Sequence, residues 1–121
     1  MPRCGDALLP MARNWLAAQA LADPTCTHML WVDGDLAWDG DDVLRLLRHD
    51  VEFAAGVYRR KFPEVQFDFK PSSGAVANPR TGLLEADCVG SGFMLLKREA
   101  FVRLIEAYPE ARISRGHGIY Y

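Results

Sequence analysis

With 121 residues, half of them hydrophobic, the chain is long enough for one compact domain with a single core and short for a complete two-substrate enzyme. Its 14 Lys and Arg stand against 16 Asp and Glu, a formal charge of -2. That leaves none of the global basic field on which non-specific nucleic-acid binding relies, so no nucleic-acid partner is expected and any anionic ligand must be met by local groups. No apolar run approaches the ~20 residues that span a bilayer, and the N-terminus lacks the basic, apolar and small-residue regions of a signal peptide. No membrane span and a cytoplasmic location are the expectations. Cys4, Cys26 and Cys88 form no C-x-x-C pair, so they read as reduced structural thiols rather than a zinc or redox motif.

Along the chain, Ala7 to Leu21 carries apolar residues at helical spacing (Leu8, Met11, Trp15, Leu16, Ala20), with Asp6 ahead as a cap and Pro10 in the first turn. Asp23-Pro24 breaks it. His28 to Val32 is a short continuous apolar run, the pattern of a strand covered on both faces. Asp39 then caps a short helix, with Asp42 three residues on and Val43, Leu44, Leu46 and Leu47 forming its apolar face. Val51 to Tyr58 reads as a second strand in which Gly56 signals a bulge or a close backbone approach. "EVQFDF" alternates as a half-exposed strand does, and "KPSSGAVANPRTG" is dense in turn formers, so a hairpin or sheet-edge excursion is expected there. Two strand-like pieces flank Gly90-Ser91-Gly92, followed by a helix from Arg98 to Tyr108 with Phe101, Leu104 and Ile105 inward. Pro109 stops it, and residues 110–121 read as an irregular tail. Alternating helices and apolar strands predict an α/β layer with a mostly parallel sheet, in which ligands sit beyond the carboxyl ends of the strands.

Asp33 and Asp35 lie at such an end, directly after "HMLWV". In extended backbone, residues i and i+2 point to the same side, while Gly34 leaves room for a ligand or a tight turn. Paired carboxylates repel, so they call for a cation, and a hard divalent ion, Mn2+ or Mg2+, suits oxygen ligands and leaves positions open for phosphate. The competing reading is that both acids merely cap the turn and the next helix. An EF-hand loop is excluded by Ala37 and Trp38 at its fifth and sixth positions. A haloacid-dehalogenase-type phosphatase also places D-x-D after its first strand, but here Leu36-Ala37 stands where Gly-Thr is expected, and neither a downstream lysine nor a paired-acid loop is evident.

The stretch "THMLWVDGDLAWDGDDVLRLLRHDVEFAAGVYRRK" resembles the metal-binding core of the GT-A-fold glycosyltransferases of the family-two-like kind. "MARNWLAAQAL" is similar to the family's helix bearing Ala-Arg-Asn, and "DCVGSGFMLLKREAF" to its Val-Gly-x-Gly-Phe-x-Leu segment. The three blocks come in the family's order and span roughly residues 10 to 108. The resemblance implies a GT-A-like domain of α/β/α layers with a mixed sheet, and a nucleotide-sugar donor whose diphosphate is held by Mn2+ or Mg2+ on Asp33 and Asp35. It further implies nucleotide contacts from Arg13, Asn14 and Gly34, and donor or acceptor contacts from Gly90, Ser91 and Gly92. The run Tyr58 to Lys61, through Arg59, Arg60 and Lys61, puts positive charge at the end of the second strand, where it would help hold a diphosphate or simply be a solvated charge run, and Tyr58 and Lys61 are taken as donor or acceptor contacts. Asp87, the acid nearest the glycine turn, is the candidate general base of an inverting transfer to an unknown acceptor; the alternative is that it satisfies turn amides.

The chain departs from the family in two places. The strand that grips the nucleobase in family members is not matched, nor is the later Glu-Asp segment, and His117 is the only tail histidine available to a metal site. A truncated or fragmentary domain is therefore expected. The contrasting function is a non-catalytic remnant serving as a binding or structural module, as an obligate homodimer that covers the absent strands.

Overall fold

The structure, a computed structural model, describes the backbone of residues 9–115 and 118–120 and the side chains of residues 9–112. Helix α1 (Leu9–Ala22) is followed by β1 (His28–Val32), α2 (Gly40–Arg48), β2 (Phe53–Ala55), β3 (Phe69–Pro71), β4 (Ala86–Val89), β5 (Phe93–Lys97) and α3 (Arg98–Ala107). A 3-10 turn (Pro109–Ala111), β6 (Ile113–Arg115) and β7 (Gly118–Tyr120) complete the order. The fold is mixed α/β, and it divides into two compact units: Met1–Met29 with Leu96–Tyr121, and Leu30–Leu95.

In the first unit, α1 is built from good helix formers and tolerates Pro10 in its first turn. It ends where Pro24 forbids continuation; there the Asp23 carboxylate accepts from the Thr25 amide and hydroxyl at 2.8 and 2.7 Å. The expected inward face is buried only in part: Trp15 and Ala20 are half-buried, Met11 and Leu16 are exposed, and the small Ala17 is the buried residue of the helix. An alanine permits closer packing than the large residues flanking it. The predicted cap Asp6 and Leu8 lie outside the described residues. Arg98, the first residue of α3, satisfies the end of α1: its guanidinium donates to the carbonyls of Leu21 (2.6 Å), Asp23 (2.9 Å) and Ala20 (3.4 Å). In α3, Phe101 and Ile105 are half-buried as expected, but Leu104 is exposed. Residues 113–115 and 118–120, expected as irregular tail, pair as an antiparallel hairpin.

In the second unit, β1, β5 and β2 form a sheet in that order. The Asp33 amide, just past β1, donates to the Gly92 carbonyl just before β5 at 2.8 Å, and Gly56, just past β2, donates to Phe93 O at 3.0 Å. Both flanking strands thus run antiparallel to β5, and β3 pairs antiparallel with β4. The mostly parallel sheet expected from the apolar strands is not what the described pairings show. The reason is that β5 returns between β1 and β2, so the two strands that run the same way are not hydrogen-bonded neighbours. Helix α2 starts on a capping box: Asp39 accepts from the Asp41 and Asp42 amides, and Asp42 accepts from the Asp39 amide. Of its four predicted apolar residues, Leu46 is buried and Val43 half-buried, while Leu44 and Leu47 are exposed. The core gathers Leu46, Ala54, Phe93 and Leu95, with Leu30, Val32, Leu36, Val43 and Tyr58 packed against it. Gly56 marks a close approach, since a Cβ there would lie 2.6 Å from the Phe93 ring.

Candidate functional site

The acids do not sit on a strand. β1 ends at Val32, and Asp33–Leu36 is a tight turn closed by the Leu36 amide on the Asp33 carbonyl at 3.1 Å. The pleat argument for Asp33 and Asp35 is therefore replaced by a turn, and the turn still delivers both carboxylates to one cleft. A Cβ at Gly34 would meet open space.

Opposite stands the segment after β2. Arg59 forms an isolated antiparallel bridge with Phe67, the Arg60 amide donates to Gln66 O at 2.7 Å, and the Arg60 guanidinium places Nε and Nη2 on Asp68 Oδ1 at 3.1 and 2.6 Å. These contacts brace a loop that carries Lys61 and Phe62. Asp33, Asp35 and Leu36 on one side, with Tyr58, Arg59, Arg60, Lys61 and Phe62 on the other, line a cleft of about 250 Å3. Two aspartates and three basic residues thus border one small concavity.

Lys61 Nζ forms an ion pair with Asp35 Oδ2 inside this cleft, both side chains being mostly exposed. The hydrogen bond from Lys61, reinforced by its charge, holds the Asp35 carboxyl below the usual aspartate range. A lysine is therefore the counter-charge that one of the two acids uses.

The glycine turn stands directly behind the acids. Gly92 O receives the Asp33 amide, Gly92 N donates to Tyr58 Oη at 2.9 Å, and Gly90 N donates to Asp68 O at 2.7 Å. Neither glycine has a positive φ; both are required because Tyr58 lies against them. A Cβ at Gly92 would fall 2.7 Å from Tyr58 Oη and 2.9 Å from Leu36 Cδ1, and one at Gly90 would collide with the same phenol and with Asp68. The room that a donor or acceptor would need against these glycines is thus taken, on this side of the turn, by tyrosine. Ser91 between them is exposed.

The structure therefore brings together Asp33, Gly34, Asp35, Tyr58, Lys61, Gly90, Ser91 and Gly92. It does not bring in Asp87, which lies on β4 with Ser72 Oγ on one oxygen at 2.8 Å and Lys70 Nζ 3.6 Å from the other, and is not among the cleft residues. Arg13 and Asn14 are half-buried on α1 in the other unit. Sequence reasoning gave Asp68 and Phe62 no role, although Asp68 positions the loop and Phe62 lines the cleft; the "YRRKF" run was the available signal.

Whether the cleft suits a metal depends on its donors. Among the described residues no group of three or more His, Cys, Asp or Glu gathers, so a closed protein cage is not offered. Two carboxylates on an open cleft do suit a hard divalent ion that keeps waters and takes its remaining ligands from phosphate. Among the described residues no helix is long and apolar enough to cross a membrane. Compared with protein-family models, curated proteins and solved structures, the chain matches none.

Proposed function

We propose that the cleft binds the diphosphate of a nucleotide sugar through a divalent cation, and that the chain is a GT-A-like glycosyltransferase domain acting on an acceptor of unspecified chemistry. The observation that carries this reading is the convergence of Asp33 and Asp35 with Arg59 and Lys61 on one cleft. Carboxylates alone would repel a diphosphate, and cations alone would have no use for two acids at the strand tip. Together they fit a metal and the anion it bridges.

In this reading Asp33 and Asp35 hold Mn2+ or Mg2+, which when bound offsets the charge that develops on the departing nucleoside diphosphate. Arg59 and Lys61 hold phosphate oxygens. Arg60 is committed to Asp68 and keeps the loop in place. Tyr58, packed on Gly90 and Gly92, fixes the backbone of the acidic turn by way of the Gly92 carbonyl, and exposed Ser91 keeps the donor or acceptor contact that the resemblance implies. Arg13 and Asn14, which the resemblance links to the nucleotide, belong to the other unit and take no part in this cleft as proposed. A proton-accepting role for Asp87 in an inverting transfer requires that Ser72 and Lys70 release it.

Thermal unfolding tests the reading. A ligand that binds only the native state stabilises it by RT ln(1 + [L]/Kd), about 2.7 kcal/mol at one hundred times Kd. Mn2+ with UDP or GDP is expected to raise the Tm, and Asp33→Ala to abolish the rise; a flat response in the unmodified chain rejects the reading. One observation favours a second reading: Lys61 already neutralises Asp35, as befits a non-catalytic module whose acids need no metal. That module would show the flat response.

A further inference from the structure

We infer that Lys61 makes the cation site conditional on the diphosphate: it occupies Asp35 until phosphate draws it away, so that metal and nucleotide bind as one unit rather than metal first. This inference rests on the function proposed above.

Three observations carry it. Lys61 Nζ is paired with Asp35 Oδ2, one of the two oxygens this carboxylate could offer a divalent ion. Lys61 comes from the loop braced by the Arg60–Asp68 pair, so its backbone is held while its flexible side chain is free to re-aim. Both partners line the cleft in which a diphosphate would lie, so the ammonium has a second anion within the same concavity.

A bare divalent ion approaching the acids must displace an ammonium from Asp35 and then share the cleft with that unpaired like charge. A metal–diphosphate complex avoids both penalties, because the phosphate oxygens take over the lysine as the metal takes over the carboxylate. Charges are conserved in the exchange: one carboxylate passes from ammonium to metal, and one ammonium passes from carboxylate to phosphate. The pair is largely solvated, with 70% and 64% side-chain exposure, so the exchange has a low cost and the conditional effect is modest.

The test is Mn2+ binding followed by electron paramagnetic resonance, with Mn2+ alone and with Mn2+ plus inorganic pyrophosphate, in the unmodified chain and in Lys61→Met. Lys61→Met is expected to tighten binding of Mn2+ alone by about two- to five-fold, the range of a solvated ion pair, and to weaken binding of Mn2+ with pyrophosphate by a similar factor. Lys61→Arg should behave like the unmodified chain toward Mn2+ alone. If Lys61→Met binds Mn2+ alone no more tightly while the unmodified chain still binds Mn2+ with pyrophosphate, the conditional role of Lys61 is overturned and the diphosphate site stands. If neither chain binds Mn2+ under either condition, the site and the inference fall together.

Discussion

Tyr58 and Gly92 are joined by a hydrogen bond of 2.9 Å from the glycine amide to the phenol oxygen, and the ring fills the volume a side chain at position 92 would need. Gly92 in turn receives the Asp33 amide, so one tyrosine fixes both the glycine turn and the acidic turn. Gly92→Ala is expected to cost about 1–3 kcal/mol by overpacking, since φ at this position imposes no strain. Tyr58→Phe should cost about 0.5–1.5 kcal/mol for the lost bond. Denaturant unfolding of Gly92→Ala with and without Tyr58→Ala checks the contact: in the double variant the alanine penalty should shrink, and strict additivity would refute it.

Arg98 does for α1 what a glycine cap does for other helices. Its guanidinium reaches three carbonyls at the helix end, and its own amide donates to Thr27 O at 2.8 Å. Arg98→Ala should lower stability by about 1–3 kcal/mol, and Arg98→Lys should recover only part, because an ammonium cannot reproduce the planar fork. Hydrogen exchange should show the loss concentrated in the last turn of α1, at residues 19–22.

Asp39 closes the start of α2 with two amide bonds. Asp39→Ala should cost about 0.5–2 kcal/mol and Asp39→Asn much less, since an amide oxygen still accepts; equal losses in urea unfolding would contradict the cap.

Two exposed carboxylates titrate below the ordinary value of 3.8: Asp35 because of the hydrogen bond from Lys61, and Asp23 because of the hydrogen bond from the Thr25 hydroxyl. Their folded pKa values lie below the unfolded ones. The stability they contribute is therefore fully present above pH 3.8 and disappears as pH falls through the depressed values. NMR titration should move the Asp35 midpoint upward in Lys61→Met and the Asp23 midpoint upward in Thr25→Val; unchanged midpoints would show that these partners are not the cause.

Much of this was legible from residue patterns. The α2 cap, β1, the close approach at Gly56 and the helix after β5 follow from local rules of capping, apolar runs and glycine placement. The described strands do not pair in parallel, because periodicity reports which faces are apolar, not which strand lies beside which, and β5 inserts between β1 and β2. The tail hairpin, β6 with β7, escaped because three-residue strands are too short to show a period. Asp33 and Asp35 stand in a turn where alternation along an extended strand predicts a pleat. The ion pair between Lys61 and Asp35 spans 26 residues, and no spacing rule could connect them. Nor did the glycines reveal their reason, since a need for closeness and a need for positive φ look the same in a sequence.

The central claim is that the acidic turn holds a divalent cation together with a diphosphate, and crystals grown with Mn2+ and UDP or GDP test it most directly. The account predicts an anomalous manganese peak between the Asp33 and Asp35 carboxylates, diphosphate oxygens completing its shell, and Lys61 turned from Asp35 to phosphate. A map with no such peak and with Lys61 still on Asp35 would contradict it.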